Sequence, residues 1–215
     1  MTTATSSGGL NLVRAGSNPL TLLSPEFVQP TNVIGAQFGS VIKLSDGGYA
    51  VYWLSRGGPN AEGSLPAKPS NDIAMMRLGA APDYTPQPTT WITNTANIHE
   101  MNLHVARYGN NRLLMSWDSI ESFTCSLDFD ITCLGQYTGT HFQLLDLQGN
   151  KIGPDEVLPY PPNERDDLVT FPNGDVGWAF VPEPKRQYST RLYETTIAPL
   201  PAIRKISIAR MLYCQ

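Results

Sequence analysis

Three histidines, three cysteines and a few acidic clusters are the residues whose types could support catalysis or metal binding. His99 and His104 sit in HEMNLH, a spacing that matches neither the paired histidines of a metalloprotease helix nor a zinc ribbon. A metal set would have to combine His99, His104 and a carboxylate. Surface or hydrogen-bonded histidines are the expectation instead, with no metal and no cofactor. Cys125 and Cys133 flank SLDFDIT, and Cys214 stands apart. An odd number of cysteines does not make a closed disulfide framework. Cys125 and Cys133 read either as a pair closing a small loop in an oxidising compartment or as two reduced thiols. Zinc is not expected, because neither CxxC nor a nearby histidine pair is present. There is no Gly-x-Ser-x-Gly elbow and no phosphate-cradling glycine loop. Asp128 and Asp130 lie beside Cys125 without a base placed to activate it. Acid collects at Asp155-Glu156 and at Glu164, Asp166 and Asp167. A glycosidase needs two carboxylates facing each other across a sugar, which adjacency in sequence does not supply. Solvated loop charge is the expectation for both clusters.

The elements that must carry these residues show themselves as repeats. VIKLSDGGYAVYWLS from Val41, VARYGNNRLLMSWDS from Val105 and LVTFPNGDVGWAFVP from Leu168 align without a gap, 64 and then 63 residues apart. Asp46, Asn110 and Asn173 share one column, and Gly47, Asn111 and Gly174 the next. Trp53, Trp117 and Phe180 share another. The turn columns hold residues that tolerate positive φ, which predicts a tight two-residue hairpin in each copy. The alternating flanks predict half-buried strands. A second element recurs as LNLVRAG, IAMMRLG, FQLLDLQG and ISIARML, starting at Leu10, Ile73, Phe142 and Ile206. After the first three comes another short strand, EFVQP at Glu26, TWITN at Thr90 and EVLPY at Glu156. Helical periodicity with caps is missing, and PNERDDLVTF holds one helical turn at most. The unit is therefore four short strands, here named a to d, in about 63 residues.

Composition agrees. Gly and Pro stand at 18 each, as suits a chain of many turns, and 41% of residues are hydrophobic, enough for a real core. Only 16% are charged and the net charge is −4, so no basic face for nucleic acid is expected. No apolar run is long enough to span a bilayer, and no membrane partner is expected. The polar start MTTATSSGG lacks a secretory h-region, and no Asn-x-Ser/Thr sequon occurs. The cytoplasm is then the default compartment, or the exterior if a leader has been removed.

A four-stranded antiparallel unit recurring at fixed spacing resembles the blade of a β-propeller, most like lectin-type and other long-period propellers, and the resemblance runs from about Leu10 to Tyr213. The WD dipeptide, the kelch glycine pair and an Asp-rich calcium loop are missing. SDGGYAVYW resembles the sialidase Asp-box, from which the other two copies depart. The resemblance implies an all-β, propeller-like fold of three four-stranded antiparallel repeats, half of a six-bladed ring. The divisions are a flexible terminus at 1–9 and one domain over 10–213. Its repeats are 10–72, 73–140 and 141–204, with a final strand at 205–213. The strand census starts with c and d and ends with c. It predicts a homodimer, or a partner chain that completes the ring, because a monomer would expose strand edges; the alternatives are half of a longer protein and a less regular β-sandwich or open barrel.

On that geometry the three b–c connections, 56–72, 118–140 and 182–204, extend from one end as long loops. Arg56, Asp118, Tyr137, Tyr188 and Arg191 on them are the candidate ligand-binding residues, with Asn60 and Tyr193 nearby. Trp53, Trp91, Trp117, Trp178 and Phe180 are expected to pack between repeats. The leading functional expectation is a non-catalytic binding module for a carbohydrate or a protein. The alternatives are a hydrolase or lyase with its site at the propeller axis or a subunit seam, and a structural subunit that completes a partner's ring.

Overall fold

The computed structural model describes residues 37–56, 70–80, 84–125, 133–163, 166–181 and 206–214. Among them there is no helix, and eleven strands form three antiparallel sheets. The first sheet holds β1 (Gln37–Lys43), β2 (Tyr49–Ser55), β3 (Asp72–Leu78) and β4 (Thr90–Trp91), paired in that order. The second holds β5 (Ile98–Tyr108), β6 (Arg112–Cys125), β7 (Cys133–Asp146) and β8 (Lys151–Leu158), also in chain order. The third pairs β9 (Val169–Thr170), β10 (Val176–Phe180) and β11 (Ser207–Met211). The a, b, c and d elements read from the repeats thus become neighbouring strands. The third sheet has three strands among the described residues, a, b and c, as a chain that ends on a c strand implies, and the described sheets do not close a ring. Residues 1–36, which include the expected flexible terminus and the strands read at Leu10 and Glu26, and the region 182–205 lie outside the described residues.

The sheets stack face to face. Alternate residues of β2 and β3, namely Ala50, Tyr52, Leu54, Ile73 and Met75, pack against Leu103, Val105, Leu113, Met115, Trp117 and Leu145 of the second sheet. That sheet's other face brings Ala106, Tyr108, Leu114 and Phe142 against Val176, Trp178 and Phe180 of the third. Phe142 and Trp178 stack with ring centroids 4.9 Å apart. The intervening residues Val51, Trp53, Ala74 and Met76 are buried on the opposite face of the first sheet. β2 and β3 are therefore buried on both faces, not half-buried as their alternation predicts. YAVYWL accordingly reads as an almost continuous apolar run, as strands buried on both faces do. Trp117 and Phe180 each face the preceding sheet, and Trp53 lies on the matching side of its own. The aromatic column is packing, as expected. The leading strands converge too, β5 touching β1 on one side and β9 on the other.

The hairpin turns correct another expectation. Leu44 N–H bonds Gly48 O at 2.8 Å while Gly47 N–H bonds Leu44 O at 3.2 Å, and Phe171, Gly174 and Asp175 repeat the pattern. These are three-residue loops, a type I turn followed by a glycine in the left-handed region, with φ of 85° at Gly47 and 89° at Gly174. A side-chain oxygen in the turn accepts the N–H two residues on, Asp46 from Gly48 and Asn173 from Asp175. The Asn in the second copy does not take the positive φ; Gly109, two residues earlier, does, at 63°.

Candidate functional site

The strand directions put all a–b turns at one end of the stack, and polar residues gather inside the other end. Ser55 ends β2 and Arg56 follows it, Ser70 and Asn71 precede β3, and Thr93 and Thr95 follow β4. His99 and Glu100 open β5, and all of these except Thr95 are buried. Burial of so many polar groups demands partners. Asp72 Oδ1 accepts the Thr95 N–H at 2.8 Å and lies 3.4 Å from the Thr93 hydroxyl. The Thr95 hydroxyl lies 3.0 Å from Glu100 Oε1, 3.1 Å from Ile98 O and 3.5 Å from Asp72 Oδ1, and its one proton serves one of these acceptors at a time. The Thr93 hydroxyl accepts the Ile73 N–H at 2.8 Å. His99 Nδ1 accepts the Asn71 N–H at 3.0 Å, which places the ring proton on Nε2. Burial, helped by the Arg56 charge, holds the His99 pKa down at about 4. Burial also lowers the Arg56 guanidinium from its usual value. The Phe123 ring lies against His99 at 5.5 Å between centroids. This group ties the first sheet to β5. Asp72 and Glu100 are 0% and 1% exposed, and donors reach one oxygen of each, Asp72 Oδ1 and Glu100 Oε1. The bonds of this pair lock the first sheet to the start of β5.

A second array crosses the second sheet. Asn102 sits at φ 56° in a bulge between Met101 and His104. Its side-chain amide donates to Asp118 Oδ2 at 2.9 Å. The Thr140 hydroxyl donates to Asp118 Oδ1, and the Tyr137 hydroxyl meets Thr140 Oγ1 at 2.7 Å. Asp118 accepts, so Thr140 spends its proton there and Tyr137 donates to Thr140. The array ends at the half-buried Tyr137. Beside it, the His141 ring stacks on Trp117 at 5.1 Å, and its Nδ1 pairs with Asp155. The hydrogen bond from His141 holds the Asp155 carboxyl below its usual range.

Of the predicted ligand residues, the structure joins Asp118 and Tyr137 through Thr140 and buries Arg56 near His99. Tyr188 and Arg191, with Asn60 and Tyr193, lie outside the described residues. Asp118 and Tyr137 are not on a loop, because β6 and β7 continue to Cys125 and Cys133. Two bulges let the long hairpin bend without breaking, with Ser122 at φ 48°. His99 and Glu100 belong to β5 rather than preceding it. His104 stands directly opposite Ser116, a pair the sequence reading passed over. His104 Nε2 and Ser116 Oγ have no hydrogen-bond partner among the described residues and do not bond each other. A serine nucleophile needs that bond to its base. Burial lowers the His104 pKa, against the pull of Asp167 and Asp166.

At the turn end, a repeated ion pair also escaped the sequence reading. Arg77 pairs with Asp46 of its hairpin turn, and Arg210 with Asp175. The Arg210 guanidinium also covers the Phe171 ring at 4.6 Å. The signal was the Arg recurring at the fifth position of IAMMRLG and ISIARML. In the second sheet the order is reversed, with Asp146 on β7 in register with Arg112 on β6. Two open clefts, of about 560 and 290 Å³, lie at this turn end, the larger lined by Asp46, Met75, Arg77, Gln87 and Gln148. No known protein family, curated protein or solved structure matches this chain.

Proposed function

We propose that this chain is a non-catalytic, β-propeller-type binding module whose partner is a protein, another sheet of the same kind docking on the outer face of the third sheet. One observation carries the reading. Ile73 and Met75 of β3 are 0% and 1% exposed, whereas Ile206 and Ile208, at the same repeat positions in and beside β11, are 69% and 79% exposed. The first two sheets bury those positions against the sheet that follows. The third presents them to solvent, with Val169 and Leu212 exposed nearby. An exposed apolar sheet face with a strand edge is a surface that natural proteins cover. A homodimer that shares one ring is the simplest form of this assembly. Light scattering on a sizing column tests it. The expected mass is about twice 23.6 kDa, and Ile208→Lys should return it to 23.6 kDa. A native chain that stays monomeric at high concentration, alone and with candidate partner chains, would defeat the reading.

Carbohydrate recognition at the polar end is the second reading, favoured by the array that runs from Asn102 through Asp118 and Thr140 to the half-buried Tyr137. A glycan array followed by calorimetry tests it, with Tyr137→Phe expected to weaken whichever sugar binds. An array without any hit removes it. The hydrolase or lyase reading has less support, since Asp72 and Glu100 are engaged in joining sheets.

A further inference from the structure

The hairpin of β6 and β7 continues past the last β5–β6 pair, Ile98 with Glu121, and its last register pairs are Thr124 with Leu134 and Cys125 with Cys133. The two cysteines therefore stand directly opposite each other. Opposed residues of an antiparallel pair have Cα atoms about 4.5 or 5.5 Å apart, depending on the type of site. Both values fall inside the roughly 4.4–6.8 Å that a disulfide spans. The third cysteine is no competitor within the chain. Cys214 follows Tyr213, whose ring packs edge-on against Tyr108 at the opposite end of the second sheet. The length of β6 separates the two ends by roughly 40 Å at the usual rise of a strand.

We propose that Cys125 and Cys133 form a disulfide that clasps the outer end of this hairpin. The hairpin is the part of the second sheet that reaches the buried polar lock. Phe123, two residues before Cys125, lies against His99. Gly135, two residues after Cys133, has no room for a side chain between Ile120 and Phe123. A covalent tie there fixes the pairing that carries Phe123 onto His99. The reaction is ordinary thiol–disulfide exchange with a small-molecule disulfide such as oxidised glutathione. One cysteine thiolate attacks it, forming a mixed disulfide and releasing one glutathione thiol. The second thiolate attacks the protein sulfur of that mixed disulfide and releases the other glutathione. The two cysteines lose two electrons and two protons, and the oxidant becomes two thiols.

The test equilibrates the full chain with defined mixtures of reduced and oxidised glutathione, quenches in acid and alkylates the remaining thiols. Both cysteines lie between Arg112 and Lys151, so trypsin leaves them on one peptide, and cleavage before Asp128 and Asp130 is used instead. In oxidising mixtures the expected result is one label per chain, on Cys214, with Cys125 and Cys133 in linked fragments; after dithiothreitol, three labels. The Phe123 amide should exchange at least tenfold more slowly in the oxidised chain. Three labels in every mixture would overturn the disulfide, as would a bond running through Cys214 to a second chain. A disulfide that leaves Phe123 exchange unchanged would overturn its role as a clasp. Cys214→Ser keeps the test free of interchain bonds.

Discussion

Replacing Asp118 by alanine separates a structural polar array from decoration. Asp118 is 1% exposed and accepts bonds from both Asn102 and Thr140. Hydrogen bonds to a charged group contribute about 1.5–3 kcal/mol each, so the two together are worth about 3–6 kcal/mol. Removing the buried charge recovers part of its desolvation cost, and leaving the Asn102 amide and Thr140 hydroxyl without their acceptor adds to the loss. The net expectation is a destabilisation of about 3 kcal/mol. For a chain of this size that lowers Tm by roughly 6–12 °C. Asp118→Asn keeps the shape and one acceptor, and should cost about 1–2 kcal/mol. Urea titrations of the native chain, both variants, Thr140→Val and the Asp118→Ala/Thr140→Val double variant measure the terms. The cycle should return a coupling above about 1 kcal/mol, as for residues in one network. Asp118→Ala within about 0.5 kcal/mol of the native chain, or additive single changes, would refute the reasoning.

His99 sets a pH dependence. Its folded pKa of about 4 lies below the unfolded 6.5, so above 6.5 neither state carries the proton and the group contributes no slope. As pH falls from 6.5 to 4 only the unfolded chain gains the proton, and stability should drop by about 3 kcal/mol. Denaturant titrations across that window should show the slope, and His99→Asn, which keeps an acceptor for the Asn71 N–H, should flatten it. Gly174→Ala should destabilise by more than about 1 kcal/mol, because φ is 89° and a Cβ would meet the Gly109 backbone at 2.8 Å; thermal unfolding of the variant checks this. Leu113→Ala, opened in the layer between the first two sheets, should cost about 2–5 kcal/mol in the same assay. A loss under 1 kcal/mol there would deny that this layer is a packed core.

The strands were legible because the repeats carry their own register. Every described hairpin and c element read from Val41, Val105, Leu168, Ile73, Phe142 and Ile206 became paired strands in the expected order. The turns were legible in composition but not in type. Asp46-Gly47 suits a two-residue and a three-residue loop alike, and only the Leu44 to Gly48 hydrogen bonds decide. The polar end was half legible. Asp118 and Tyr137 were picked out for their types, but the residues that fix their roles, Asn102 and Thr140, announce nothing alone; the Asn102 bulge is a backbone event. Asp72, Glu100 and Thr95 come from three segments that only stacking brings together. His99 was noticed for metal chemistry, and what it does is accept one backbone N–H.

Deuterium exchange of β11 across a dilution series tests the docking face most directly. The amides of Ser207–Met211 should be protected at high concentration and lose that protection on dilution, in step with the fall in mass. Ile208→Lys should abolish the concentration dependence and leave β6 and β7 unaffected. Exchange at β11 that is the same at every concentration, and the same with candidate partner chains added, would contradict it.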